Sequence, residues 1–268
     1  MNRLLSLAHL TALSLAPPDL VRLAAETGYQ AVGLRLIAVT PDTASYPLHN
    51  DRAMLRETRR AMAETGIKVL DLEILRLEPS LDLANFTAAL EAGAELGASQ
   101  ALLAAYDPDE SRLCDNLARV ADIARPLGIC VNLEFYPWTA VANLADAVRV
   151  IDASGAENAG VLVDALHLAR STTTLEDLRG QPTGRFRYLH LCDAQAEHPG
   201  SLEGLLKAAR EERLPPGEGG LDLRGFLDAM PDDIPIALEI PMQAKTRMEG
   251  ERAVARLCRK ATERLLES

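Results

Sequence analysis

Residues 25–29 read Ala-Glu-Thr-Gly-Tyr, residues 63–67 Ala-Glu-Thr-Gly-Ile and residues 94–98 Ala-Glu-Leu-Gly-Ala. Each phrase closes a stretch with helical spacing of apolar residues, places Gly28, Gly66 or Gly97 where that stretch gives way, and hands over to a short apolar run. Glycine just past a helix takes the left-handed turn that returns the chain toward a sheet. Gly128 ends a fourth helical stretch in the same way. Working outward from these turns, β-like runs fall at residues 4–9, 31–36, 68–75, 100–105, 130–135, 160–164, 187–192 and 235–240. Between them apolar residues recur at helical spacing, over residues 18–26, 52–65, 83–96, 109–127 and 247–266 among others. Eight strands alternating with helices, with no low-complexity linker, predict one domain over residues 1–268: an α/β fold whose strands close into a (β/α)8 barrel. The near-repeats mark βα units rather than a solenoid. An open doubly wound sheet is the alternative, but no strand is followed by GxGxxG.

The 268 residues are 48% apolar, enough for a large core, and carry a net charge of −11. That sign argues against a nucleic-acid surface, because phosphate binding rests on clustered Lys and Arg. A small, neutral or metal-bridged substrate is the expected partner, and whether the chain forms a homo-oligomer is left open. Cys114, Cys130, Cys192 and Cys258 are far apart and form no CxxC pair, so neither a zinc knuckle nor a disulfide framework is expected; a reducing cytoplasm is the expected setting. Residues 1–16 carry one Arg and an apolar run, as a signal peptide does. His9 and Thr11 interrupt that run, no cleavage site precedes Pro17 and Pro18, and the barrel needs a first strand there, so the segment reads as a strand. No apolar stretch approaches the roughly 20 residues that span a bilayer, so no membrane partner is expected.

Four successive strands end in charged or metal-capable groups: Val-Asn-Leu-Glu134, Val-Leu-Val-Asp164, Tyr-Leu-His190 and Ala-Leu-Glu239. The C-terminal rim of such a barrel converges side chains from separate strands. Carboxylates buried there require a cation or donors to offset their desolvation. For one acid alone, a salt bridge to a nearby Arg is the better reading; four strand ends together favour a divalent ion. Three carboxylates and an imidazole suit Mn, Mg or Co with room for substrate oxygens, and zinc is also compatible.

With these residues in view, the whole chain resembles the xylose-isomerase-like barrels, a family of sugar phosphate isomerases and epimerases that also includes dehydratases and the endonuclease IV group. The resemblance is carried by Glu134, the pair in Asp164-Ala-Leu-His167, the pair in His190-Leu-Cys-Asp193, the loop Pro216-Gly217-Glu218-Gly219 and Glu239. It implies that Glu134, Asp164, His190 and Glu239 are metal ligands and that His167 reaches the substrate. Asp193 reads either as a group behind the ligating His190 or as a loop cap. Glu218 reads as a turn residue in a working loop, with contact to a metal-bound water as the other reading.

Two departures stand out. Many relatives place an Arg shortly after the His-x-x-Asp pair, where this chain has Ala194, Gln195 and Ala196. Strand two ends in Gly33-Leu-Arg35, and Arg35 either binds an acidic substrate group or neutralises Glu73 on strand three. His9, at the end of strand one, is a rim candidate with a satisfied core histidine as its alternative. Tyr136 and Trp138 form a wall over the substrate or pack against the next helix. His49 and His198 read as exposed loop residues. The expected chemistry is isomerisation or epimerisation of a keto-sugar or related polyol through an enediolate, with Glu134 and Glu239 as acid and base. The alternatives are a dehydratase acting on a cyclic keto-polyol or dehydroshikimate-like acid, and a barrel that binds a ligand without turning it over.

Overall fold

Eight parallel strands pair in chain order and close on themselves, the last against the first. They are β1 (Leu5–Leu7), β2 (Ala31–Arg35), β3 (Lys68–Leu77), β4 (Gln100–Ala105), β5 (Cys130–Glu134), β6 (Ala159–Asp164), β7 (Phe186–Leu191) and β8 (Ile236–Leu238). This computed structural model describes residues 3–40 and 42–267. Met1, Asn2, Pro41 and Ser268 lie outside the described residues, and with them both ends of the predicted domain and the first two residues of the opening segment. The helices are α1 (Pro17–Thr27), α2 (Arg52–Thr65), α3 (Leu83–Glu95), α4 (Glu110–Ala124), α5 (Leu144–Ser154), α6 (Ala165–Ala169), α7 (Leu175–Arg179), α8 (Leu202–Glu211), α9 (Leu223–Ala229), α10 (Gln243–Glu249) and α11 (Glu251–Glu267). Among the described residues no helix is long and apolar enough to cross a membrane.

The glycine turns work as their sequence context requires. Gly28 and Gly66 sit at φ 87° and 77°, and each donates its N–H to a carbonyl of the last helical turn. Asp51, Asp82 and Asp109 begin α2, α3 and α4 by accepting the N–H three residues on. Helix faces then pack leucine, valine and alanine against the outer barrel wall in one continuous core. Inside the barrel a smaller cluster holds Ala8, Ala31, Leu70, Leu102, Leu162, Tyr188 and Ala237.

Several boundaries differ from the sequence expectation, among them those of β1, β8 and the last helical stretch. β1 stops at Leu7, and His9 opens a short 3-10 turn, His9–Ala12, instead of ending the strand. β8 stops at Leu238, so Glu239 follows the strand rather than lying within it. The single helix expected over residues 247–266 is broken at Gly250, whose φ of 81° and ψ of 161° are outside the helical region and separate α10 from α11.

Below the rim residues, each odd-numbered strand also buries a polar side chain completely: Ser6, Asp71, Asn132 and Tyr188. Leu5 and Leu7 flank Ser6, and Val131 and Leu133 flank Asn132, all four in the outer core, so strand alternation turns the polar residues inward. Gly33 and Gly160 make room for this layer: a Cβ on Gly33 would lie 2.9 Å from Asp71 Oδ1, and one on Gly160 would lie 2.9 Å from Asn132 Oδ1. The functional rim stands above it.

Candidate metal centre

β5 ends on Glu134, β6 ends on Asp164, β7 carries His190 next to its end, and Glu239 follows β8. All four are buried. His190 Nδ1 lies 3.8 Å from Glu134 Oε1, 3.8 Å from Asp164 Oδ2 and 3.6 Å from Glu239 Oε2. These separations are too long for hydrogen bonds. Neither ring nitrogen of His190, nor Glu134 Oε1, has a hydrogen-bond partner. A buried nitrogen ringed by three carboxylate oxygens and bonded to none of them has the spacing of ligands spread around a cation. The residues therefore fit a divalent ion: ligand atoms of Asp164, His190 and Glu239 lie within 4.8 Å of one another, as do those of Glu134, Asp164 and His167.

Local sequence explains how each group is aimed. Asp164 is the N-cap of α6: its Oδ1 accepts from the N–H groups of Leu166 and His167 at 2.7 and 3.2 Å, which leaves Oδ2 for the site. The same short helix carries His167 into the cavity, so the Asp164-Ala-Leu-His167 spacing is that of a cap and its first turn. Tyr136 donates its hydroxyl hydrogen to Glu134 Oε2, which directs Oε1 toward His190 and, at 4.0 Å, toward His167 Nε2.

The cavity beside these groups has a volume of about 240 Å³, and its lining includes Tyr106, Tyr136, Trp138, His167 and Ile74. Tyr136 stacks on Trp138 with ring centres 5.3 Å apart, and His167 meets both rings edge-on at 4.7 and 5.1 Å. Trp138 Nε1 donates to the Tyr106 hydroxyl at 3.3 Å, and Arg76 lies 4.0 Å above the Tyr106 ring. The aromatic wall is thus a connected unit facing the cavity, not packing for the next helix alone.

Electrostatics separate the three carboxylates. Burial pushes Glu134 up to about 8, with Asp164 and Glu239 adding to the rise and His190 opposing it. Burial also opposes charge on Asp164 and Glu239, but Arg213, with His167 for Asp164 and His190 for Glu239, holds both below the ordinary carboxylate range. His190 is desolvated too, yet the surrounding carboxylates, Glu239 foremost, raise it to about 10. Burial lowers His167 to about 4, keeping it a neutral donor or acceptor.

The other rim candidates fall into distinct places. Arg35 Nη2 and Glu73 Oε2 form a buried ion pair at 3.3 Å, and Glu73 also accepts the N–H groups of His9 and Leu10 at 2.6 and 3.3 Å. Arg35 still lines the cavity, with its Nε unpartnered. His9 is not part of the cavity lining: its Nδ1 accepts the Arg35 N–H at 2.8 Å and its Nε2 lies 3.0 Å from the Leu15 carbonyl, so it is a satisfied core histidine. Asp193 caps the Pro-Gly-Glu-Gly loop, accepting from the N–H groups of Ala194, Gly217, Gly219 and Leu221, and does not reach His190. Glu218 is exposed on that loop as a turn residue.

Two buried ionisable side chains at or beneath the rim carry no strand-end signal. Arg213, 2% exposed, contacts Asp164 Oδ2 through Nη1 and lies 2.7 Å from Glu239 Oε2 through Nη2. It stands at the head of the irregular stretch 213–222, which was the one sequence clue, and it brings a guanidinium to the rim that Ala194, Gln195 and Ala196 do not supply. Asp71 lies in the layer beneath with neither oxygen partnered; a buried Asp two residues before Glu73 was its only mark.

Residues 21–261 match the protein family described as xylose isomerase-like TIM barrel. Over 116 residues the chain is 30% identical to the inosose isomerase of Bacillus velezensis, a match covering 42% of this chain and 39% of that protein. The chain spans about two fifths of the length of the curated relatives it matches. Among solved structures, the IOLI protein with a binding zinc atom shares the fold at a TM-score of 0.81 and 20% identity, covering 98% of this chain and 97% of that one. The 3-keto-D-glucoside 4-epimerase YcjR from E. coli gives 0.73 and 17%, covering 97% and 100%. At such identities the structural likeness is one of fold, while the family match runs through every strand from β2 to β8: this chain belongs to the xylose isomerase-like TIM barrel family.

Proposed function

We propose that this protein is a divalent-metal-dependent isomerase or epimerase of a keto-sugar or related polyol, working through an enediolate with Glu134 and Glu239 as acid and base. The observation that carries this reading is His190 Nδ1, unpartnered and 3.6 to 3.8 Å from one oxygen each of Glu134, Asp164 and Glu239. The inosose isomerase relative and the zinc-bearing and epimerase structural neighbours agree with it. Glu134, Asp164, His190 and Glu239 would hold the ion, with Mn, Mg, Co and Zn all compatible with three oxygens and one nitrogen.

A bound divalent cation supplies Lewis-acid polarisation of a carbonyl and its neighbouring hydroxyl. The protein's own groups do the rest. Tyr136, Trp138 and His167 offer one apolar face and one neutral nitrogen, suited to the C–H face of a polyol and to one of its hydroxyls. One of Glu134 and Glu239 takes the proton from the carbon beside the carbonyl, and the other returns a proton to the opposite face or to the adjacent carbon. The Arg35–Glu73 ion pair engages the Arg35 guanidinium with a protein carboxylate, which supports a neutral substrate over an acid at that position.

The test is hydrogen exchange in deuterated buffer. Protein loaded with Mn²⁺, Co²⁺ or Zn²⁺ is incubated with keto-hexoses and inososes, and deuterium is followed by NMR at the carbon beside the carbonyl. Enzyme-dependent exchange on at least one of them is expected. No exchange on any substrate with any ion would sink the reading.

A further inference from the structure

Arg213 enters the rim from a segment stitched to both neighbouring strand exits. Leu214 and Asp193 exchange two backbone hydrogen bonds of 2.8 Å, and the Arg213 N–H donates to the Pro241 carbonyl at 3.2 Å. Its guanidinium is then used on every side. Nε donates to the Ala209 carbonyl at 2.8 Å, Nη1 to the Glu239 carbonyl at 3.1 Å as well as to Asp164 Oδ2, and Nη2 forms an ion pair with Glu239 Oε2 at 2.7 Å. The two carboxylate oxygens it holds, Asp164 Oδ2 and Glu239 Oε2, are the ones that face His190 Nδ1. Glu134 makes no bond to Arg213 and keeps Oε1 unpartnered.

We propose that Arg213 is a resident counter-cation of this rim, a positioning residue that neutralises and aims Asp164 and Glu239 before an ion arrives and weakens the binding of that ion once it does. The inference rests on the divalent-cation reading above. With an ion bound, three ionised carboxylates and a neutral imidazole would carry three negative charges; one guanidinium reduces this to two, which a divalent ion would complete. Buried without any cation, such a cluster would carry a large desolvation penalty. An ion need not expel Arg213, because each carboxylate oxygen accepts along more than one direction. It would sit close to a fixed like charge, and that repulsion would lower its affinity. A residue that merely aimed the ligands would have the opposite effect, since its loss would weaken binding.

The sign of one measurement therefore decides. Mn²⁺ or Zn²⁺ is titrated by calorimetry into chelator-treated wild type, R213M, R213Q and R213K, and thermal unfolding of each is followed with and without the ion. R213M is expected to bind at least about tenfold more tightly than wild type. Its chelated unfolding midpoint should fall by about 10 °C, with a larger metal-induced rise than in wild type. R213K, which keeps the charge, should bind with near wild-type affinity. If R213M folds only with the ion present, the proposal is supported; if it does not fold at all, R213Q carries the same expectation. Equal or weaker binding by the neutral variants overturns the proposal while wild-type binding preserves the metal reading. Binding by neither wild type nor the neutral variants removes both.

Discussion

Tyr136 gives its hydroxyl hydrogen to Glu134 Oε2, so that one oxygen of this carboxylate is engaged and the other faces His190 without a partner. Tyr136→Phe removes that donor and lets the carboxylate rotate, leaving Oε2 desolvated and unbonded. Turnover should fall roughly tenfold while the metal-induced stabilisation stays near wild type. Wild-type turnover in the Phe variant would show that the bond does not set the reactive orientation of Glu134.

Glu134→Gln and Glu239→Gln test the two-carboxylate chemistry separately. Each amide keeps the shape and one ligating oxygen but cannot accept a proton, so each should lose at least about a hundredfold in turnover. Both should remain folded by circular dichroism and keep part of their metal affinity. Near-normal turnover by either at saturating metal would remove that residue from the proton-transfer pair.

Asp71 makes stability depend on pH. Burial, reinforced by Glu73, pushes its carboxyl up to about 8, far above its unfolded value. The folded protein therefore holds a proton that the unfolded chain has released, and the stability this contributes is full below the unfolded value and lost as pH rises through about 8. Asp71→Asn has nothing to lose over that span, so its unfolding midpoint should gain on wild type between about pH 5 and about pH 9. A midpoint difference that stays constant across the range would mean that Asp71 is charged throughout.

Arg35 and Glu73 form a buried pair whose partners cannot be removed one at a time without consequence. Arg35→Met and Glu73→Gln should each lose about 3–5 kcal/mol in urea unfolding, as expected when one member of a buried ion pair is left alone. The double variant should lose clearly less than the sum. Additive losses would show that the two side chains do not depend on each other.

The order and number of the strands were legible because each helix ends in a local signal, such as Gly28 or Gly66, and each strand is a short apolar run of its own. The four rim residues were legible for a related reason: a carboxylate or imidazole ending a buried strand is anomalous within its own few residues. Arg213 was not. Its place depends on residues 212–214 folding back onto Asp193 and Met242, a tertiary bridge that leaves no periodic trace. Asp71 was hidden by the register shifts of β3 against its two neighbours, between Val32 and Gly33 on one side and between Leu72 and Leu75 on the other. Those shifts upset the simple alternation by which inward residues are counted. His9 was displaced for a third reason, since β1 is only Leu5–Leu7 and the chain turns before the histidine.

The closure of the cylinder ties the rim to the end of the chain. Glu239 follows β8, the strand that joins β7 to β1, and Arg213 leans on the Pro241 carbonyl just beyond it. Glu134, Asp164 and His190 come from strands made before β8, so the last strand supplies the fourth group of the rim. The pairing that seals the cylinder, β8 against β1 and β7, is thus the one that sets Glu239 beside His190 and closes the ring of rim groups.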